Sequence, residues 1–227
     1  MTSPNRAHFD KELRELQDNL LRMGSLLDSA IARAMQSLSE RNLDLARQVV
    51  ADDAKVNALR FQIEEQCITL IATQQPLATD LRAIVAAMNI ISDMERMADH
   101  AAGIAKTVLK MGDQPLLKPL IDMPRMAEEA RDMLRTALDS YVARDADAAH
   151  SVADRDDVID ELYHQVFRDL VAFIATDPST TTRALYLLFS AHNLERIADR
   201  VVNIAERVIF VASGEMKELS AGPNERI

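Results

Sequence analysis

The sequence contains few of the residues that interrupt helices or favour strands. Its 227 residues include 5 glycines, 7 prolines, 3 tyrosines, 6 phenylalanines and no tryptophan, whereas average usage would give roughly 16 glycines and 11 prolines. Glycine and proline mark turns, and aromatic residues are enriched in strands. The shortage of both groups argues against a strand-rich fold and predicts long helices, while 48% apolar residues are enough for a packed core.

Cysteine and long apolar runs are equally scarce. The single cysteine, Cys67, cannot form an internal disulfide, and its apolar neighbours predict a buried, unreactive thiol. No run approaches the roughly 18 uncharged apolar residues of a membrane span, and the N-terminus has no apolar segment like that of a signal peptide. We therefore expect a cytoplasmic protein that reaches a membrane only through partners.

Positive charge is in deficit. The sequence has 26 Lys and Arg against 36 Asp and Glu, a net charge of −10, and binding to nucleic-acid phosphates requires the opposite sign. A Gly-rich phosphate-binding loop is missing, as is any Ser-His-Asp or Cys-His arrangement that the spacing supports. We expect neither a nucleic-acid-binding protein nor an enzyme.

Apolar residues recur at helical spacing along six segments. Residues 112–119 form the only obvious linker between them. Thr79 is predicted to cap the third helix, and Gly214 to follow the last one. The segments cover about 9–38, 43–73, 80–110, 122–144 and 146–175, and a sixth runs from the break at 177–180 to Ser213.

The chain contains an internal repeat. When residues 95–108 are shifted by 100 onto 195–208, 7 of 14 positions are identical, where composition alone predicts roughly one. A second tract, beginning at Arg41 and Arg144, matches at an offset of 103. The sequence therefore predicts an all-α fold of two tandem antiparallel three-helix bundles, residues 1–113 and 114–227, the second ending in a short polar tail.

Two pairs of carboxylates lie where apolar side chains are expected. Glu95 and Asp99 are four residues apart, and their helix face continues an apolar stripe; Glu195 and Asp199 repeat the arrangement. Like charges at this spacing repel by roughly 0.2–0.5 kcal/mol even on a surface, and partial burial adds a desolvation cost. Some compensating group is therefore expected nearby.

The facing helix of each hairpin supplies further oxygen atoms. Counting outward from the two hairpin turns places one oxygen-bearing side chain level with each carboxylate. The pairs are Asn57 with Glu95, Asp53 with Asp99, Asp160 with Glu195, and Asp156 with Asp199. Such clusters suit a hard or borderline divalent cation such as Mn²⁺, Fe²⁺ or Mg²⁺. Zinc is not expected without Cys or His pairs.

Two alternatives remain open. A metal-free scaffold would neutralise the acids with nearby arginines, namely Arg60, Arg96, Arg196 and Arg200. A ferritin-like metal-storage bundle or oxidase would need Glu-x-x-His on two helices, but only Glu161 and His164 have this spacing, and Phe61 occupies the partner position. Recurrence of the acidic cluster in both copies favours the metal interpretation.

The repeated acidic motif resembles that of the PhoU family of phosphate-transport regulators, whose hallmark is Glu-Arg-x-Ala/Gly-Asp once per three-helix repeat. The resemblance covers essentially the whole chain. It is carried by Glu95–Asp99, Glu195–Asp199, the Gln75–Arg82 turn, the Asp53–Asn57 tract, and Asp177 with Pro178. It implies two three-helix bundles and, in some members, iron or other metal clusters bound through the motif. Asn57 replaces an aspartate, so the first site has one fewer charge.

The resemblance also implies a biological role. PhoU-like proteins are regarded as cytoplasmic negative regulators of the phosphate-starvation response. They are thought to bridge the ATPase subunit of the phosphate ABC transporter and a PhoR-type sensor histidine kinase. We therefore expect these two partners for this chain, and also a homodimer.

Overall fold

The computed structural model of the chain is all-α. It describes residues 4–216, 218 and 219, so most of the predicted polar tail lies outside the described residues. Within that part, six α-helices and one short 3₁₀ helix are present and no strand is found, which confirms the predicted fold class. The elements are α1 (Pro4–Glu40), α2 (Leu43–Gln74), α3 (Thr79–Met111), α4 (Asp122–Ala143), α5 (Ala146–Thr176), a 3₁₀ turn (Pro178–Thr180) and α6 (Thr181–Ser213).

Short polar side chains and one glycine define several helix ends. Asn42 accepts a hydrogen bond from the backbone N–H of Leu45 at the start of α2, and Asp145 does the same for two N–H groups at the start of α5. These bonds satisfy N–H groups that the first helical turn leaves unpaired. At the end of α6, Gly214 has φ of 82°, as predicted for a residue that ends a helix in the left-handed region.

The predicted cap at Thr79 is wrong. The cap residue of α3 is Ala78, which makes no side-chain hydrogen bond to the helix and has φ of 44°. Thr79 is already the first helical residue, and its hydroxyl accepts a hydrogen bond from Arg82 at 3.2 Å. The turn after Pro76 ends at Ala78, whose positive φ is followed directly by the helix, so Thr79 lies inside α3 instead of capping it.

The six helices form two bundles that share one hydrophobic core. Helices α1–α3 form the first bundle and α4–α6 the second, and α3 packs along α6 while α1 packs along α4. The apolar stripe predicted for the first helix is buried throughout. It comprises Leu13, Leu16, Leu20, Met23, Leu27, Ile31, Met35 and Leu38.

Helices α3 and α6 cross where the two acidic motifs lie. His100 Nδ1 is 2.9 Å from Asn193 Oδ1, and Arg200 is 3.5 Å from Asp93. Each contact joins the residue after a motif to the residue two positions before the other motif, as a pseudo-twofold axis between the repeats requires. The apolar residues within the motifs, among them Met97, are buried at this crossing.

A glycine permits the close approach of α1 to α4. A Cβ added at Gly24 would overlap the Cδ1 atom of Leu138 on α4. Beside this contact, the guanidinium of Arg131 donates two hydrogen bonds to Asp28, at 2.9 and 3.0 Å. This bidentate pair fixes the register of the two helices.

In the described part of the chain, no helix has a stretch that is both long and apolar enough to cross a bilayer.

Candidate metal centre

The second repeat brings four carboxyl groups together. Helix α5 contributes Asp156 and Asp160, which are one turn apart, and α6 contributes Glu195 and Asp199. Burial and the charges of the other three raise the pKa of Asp156 to about 7, and burial with the charge of Asp199 raises that of Glu195 to about 7. These mutual effects require all four groups to lie close to one another.

Two buried oxygen atoms of this cluster accept no hydrogen bond from the described residues. They are Asp156 Oδ1 and Glu195 Oε2. The pKa of Asp160 is also raised, first by burial and then by Asp199. Buried oxygens of this kind normally accept a hydrogen bond or bind a cation. The side chains of the described residues supply neither to these two atoms.

Among the described residues, one arginine pairs with the second cluster. Arg196 donates to Asp199 at 2.8 Å and lies 3.6 Å from Glu195. His192 Nδ1 is 3.3 Å from Glu195 Oε2, but burial and the charge of Arg196 lower the pKa of His192. That imidazole is therefore neutral near pH 7, and a single positive charge faces four carboxyl groups.

The first repeat has a weaker version of the cluster. Burial and the charge of Asp99 raise the pKa of Asp53, so these two groups face each other across α2 and α3 as their spacing predicts. Asn57 donates to Asp53 at 3.2 Å, and the positive charge of Lys106 acts on the same carboxylate. Glu95 is half-buried on the same helix as Asp99, and Asp99 is exposed.

The remaining arginines point to other partners. Arg60 lies 3.5 Å from Glu64, Arg200 pairs with Asp93, and Arg96 acts on Asp93 through its charge. The salt-bridge alternative is thus limited to Arg196 in the second repeat, and it does not explain why Asp53 Oδ1 is buried without a partner.

The ligand types fit a hard cation, although the side chains are not arranged around one point. Across the described residues, no group of three or more His, Cys, Asp or Glu side chains has the geometry to hold a metal ion. The oxygen-only composition and the oxygens without a hydrogen bond suit Mn²⁺, Fe²⁺ or Mg²⁺, and binding would require the side chains to rearrange around the ion. The metal role of these eight residues stays a prediction.

The ferritin-like spacing lies on the surface. Glu161 and His164 are both exposed, and Glu161 pairs with Arg168 at 3.0 Å. His164 acts on Asp160 through its charge, but the matching position in the first repeat is Phe61, so the two-helix pattern of a ferritin-like site is not present. Cys67 is buried, and burial raises the pKa of its thiol to about 12, which confirms the prediction of an unreactive thiol.

Known proteins share both the repeat and the fold. A family model described as the PhoU domain matches residues 20–108 and again residues 123–208. The chain belongs to the PhoU family. A curated relative from Aquifex aeolicus, named a phosphate-specific transport system accessory protein PhoU homolog, is 38% identical over 206 residues, covering 91% of this chain and 93% of that protein. A homolog of the same name from Zymomonas mobilis is 38% identical over 215 residues, or 94% of this chain and 91% of that protein.

Solved PhoU structures have the same arrangement of helices. The crystal structure of PhoU from Pseudomonas aeruginosa aligns with a TM-score of 0.86 at 32% identity, covering 91% of this chain and all of that one. The phosphate transport system regulatory protein PhoU from Streptococcus pneumoniae aligns with a TM-score of 0.86 at 31% identity, covering 92% and 99%.

Sequence reasoning missed two groups beside the acidic motifs of this PhoU chain. Asp93 lies between α3 and α6, where burial raises its pKa despite Arg200 and Asn203. Lys106 influences Asp53, whereas the corresponding position in the second repeat is Glu206. The offset of 100 aligns Asp93 with Asn193, so the repeat could have drawn attention to Asp93. Its partner on α6 follows only from the packing of α3 on α6.

Proposed function

We propose that this chain regulates phosphate uptake as an accessory component of a phosphate-specific transport system. The observation that carries the proposal is the match of both repeats to the PhoU domain, together with relatives named for that system over more than 90% of the chain. As a finer statement, we propose that the chain works in the cytoplasm as an adaptor between the ATPase subunit of the transporter and a PhoR-type sensor histidine kinase.

The surface of the protein supports an adaptor rather than an enzyme. Helices of 31–37 residues, such as α1 and α5, span roughly 45 Å or more. They provide long, rigid faces for protein contacts. Two acidic clusters lie on such faces, and neither contains a nucleophile with an adjacent base.

We further propose that the acidic clusters bind divalent metal ions. The ligands would be Asp156, Asp160, Glu195 and Asp199 in the second repeat, and Asp53, Asn57, Glu95 and Asp99 in the first. A bound cation would supply the positive charge that the unpartnered oxygens lack. The second repeat provides four carboxylates and the first provides three together with Lys106, so we expect tighter binding in the second.

The regulatory proposal is tested by gene deletion in cells grown with abundant phosphate. Loss of the protein is expected to derepress a phosphatase reporter controlled by the phosphate-starvation response, and the wild-type gene on a plasmid is expected to restore repression. If the deletion leaves the reporter silent, the regulatory role is wrong.

The metal proposal is tested by titrating Mn²⁺ into chelator-treated protein in a calorimeter. The double substitution Asp156→Asn with Glu195→Gln is expected to remove the tighter binding event. The matched pair in the first repeat, Asp53→Asn with Glu95→Gln, is expected to leave that event in place. If wild type and both variants bind Mn²⁺ equally, or none of them binds it, the acidic clusters do not hold the ion, as the metal-free scaffold predicts.

A further inference from the structure

One face of the second repeat carries an exposed apolar patch close to the α5/α6 turn. Phe167 and Val171 lie one turn apart on α5, and Leu185 and Phe189 lie one turn apart on α6. These four side chains are 40–57% exposed. Exposed aromatic groups are enriched at protein interfaces, and neighbouring exposed apolar groups mark interaction sites.

The patch continues into the acidic cluster along the same helix faces. On α5, steps of three or four residues lead from Val171 through Phe167 and Tyr163 to Asp160. On α6, the same steps lead from Phe189 through His192 to the second acidic motif. The rings of Tyr163 and His192, whose centroids are 6.2 Å apart, join the two helices midway. We call the whole surface, from Asp156 and Asp199 to Val171 and Leu185, the α5/α6 face.

The α5/α6 face therefore has two chemically different halves. The half near the turn is apolar. The other half holds four carboxyl groups and one arginine, Arg196. From Asp156 to Val171 the face is about 22 Å long, which is the length of about 15 residues of a partner helix.

The first repeat shares the aliphatic part of this pattern, with Ile68 and Val85 at the positions of Val171 and Leu185, but not the phenylalanines. At the offsets of 103 on α5 and 100 on α6, Phe167 corresponds to Glu64, and Phe189 corresponds to Asn89. Duplication gave the two repeats the same starting surface, so the paired phenylalanines distinguish the second repeat from the first. Core packing does not explain them because both side chains are exposed.

We propose that the α5/α6 face docks an amphipathic helix of a partner protein, with apolar side chains on the Phe167–Phe189 half and Lys or Arg on the acidic half. This inference rests on the proposed adaptor function, for which it specifies the binding surface. The occupant follows from complementarity in the metal-free protein, where no cation neutralises the acids: a partner helix without positive charge would leave four carboxyl groups facing an apolar interface. A helix without apolar residues would leave the two phenylalanines in water.

The direct test uses a fluorescein-labelled 15-residue helical peptide with leucines on one face of its first half and lysines on that face of its second half. Both sequence orders are measured by fluorescence anisotropy at pH 8 in EDTA, so that the acids are ionised and no metal competes. Binding of one order is expected at micromolar concentration. Replacing the peptide lysines with glutamates, or its leucines with serines, is expected to abolish it.

Matched protein variants identify the surface. Phe167→Asn with Phe189→Asn is expected to weaken binding about tenfold or more, because both rings become buried in the complex. Phe61→Asn with Ile68→Asn removes two side chains of the first repeat that are similarly exposed, at 61% and 55%, and is expected to have no effect. Failure of both peptide orders to bind below about 100 µM, or equal weakening by the two variants, would overturn the inference.

A cellular measurement separates this inference from the proposed function. The variant with both phenylalanines replaced is introduced into the deletion strain, and its abundance and melting temperature are checked against wild type. Restored repression by the wild-type gene but not by the variant supports the docking surface. Restored repression by both genes refutes the docking surface and leaves the regulatory role standing, whereas failure of the wild-type gene counts against the regulatory role itself.

Discussion

Replacing Asp156 by asparagine is expected to stabilise the metal-free protein at pH 8. Its carboxyl group has a pKa of about 7 in the folded chain against 3.8 when unfolded, so ionisation is less favourable in the folded state. Below pH 3.8 the group is protonated in both states and costs nothing. As the pH rises from about 4 to about 7, the unfolded state ionises first and stability is lost. Above pH 7 the loss is complete and constant.

The size of the effect follows from the same values. One pKa unit corresponds to about 1.4 kcal/mol, so a rise from 3.8 to about 7 sets an upper limit of roughly 4 kcal/mol. Asp156 keeps partial contact with solvent, which screens its repulsion from Asp160, Glu195 and Asp199. We expect the substitution to raise the free energy of unfolding by about 1–2 kcal/mol at pH 8 and by less than about 0.5 kcal/mol at pH 4.

Urea denaturation followed by circular dichroism in EDTA provides the measurement. The control is Asp154→Asn, because Asp154 lies two residues earlier on α5, is exposed and is not among the charges that act on Asp156. It is expected to change stability by less than about 0.5 kcal/mol at either pH. A gain at pH 8 no larger than that of the control, or a gain of equal size at pH 4 and pH 8, would refute the idea that Asp156 is held among like charges.

Two further substitutions test the packing between the repeats. Gly24→Ala adds a methyl that overlaps the end of the Leu138 side chain, while alanine favours the helix by about 1 kcal/mol. In urea denaturation we expect Gly24→Ala to be more favourable by about 1 kcal/mol or more in a Leu138→Ala background than in wild type, and equal effects in the two backgrounds would show that α1 and α4 are not in close contact there. Arg200→Ala is expected to lower the melting temperature by several degrees at pH 7, since buried Asp93 loses its cationic partner. The exposed Arg135 provides the control for that change, and equal melting temperatures of the two variants would contradict the proposed contact.

Periodicity and repetition in the sequence were enough to predict the architecture. Long stripes such as Leu13 to Leu38 specify one helix face over about seven turns, so helix type and approximate ends follow from local spacing. The hairpin register could also be predicted, since antiparallel helices joined by a short turn align residues equidistant from it. The effects of Asp99 on Asp53 and of Asp199 on Asp156 agree with that register.

The rest depended on packing between segments far apart in the chain. Repetition shows that α3 and α6 are equivalent but not that they contact each other, so Asp93 had no predictable partner. A long side chain such as that of Lys106 reaches a carboxylate on another helix, which spacing along one helix does not reveal. At Ala78, the left-handed backbone is imposed by the turn and overrides the usual preference for a threonine cap.

The crossing of α3 and α6 has a consequence for how the two halves of the chain evolved apart. In a dimer of two identical single-repeat chains, both copies of each interface position would carry the same residue type. Each contact would then occur twice, once on either side of the symmetry axis. A fused chain is free of this constraint. Here one copy of the contact pairs Asp93 with Arg200, and the other pairs Asn193 with His100. A dimer of the first half alone would pair Asp93 with His100, and a dimer of the second half alone would pair Asn193 with Arg200, so the covalent link preserves an Asp93–Arg200 ion pair that two separate identical halves would lose.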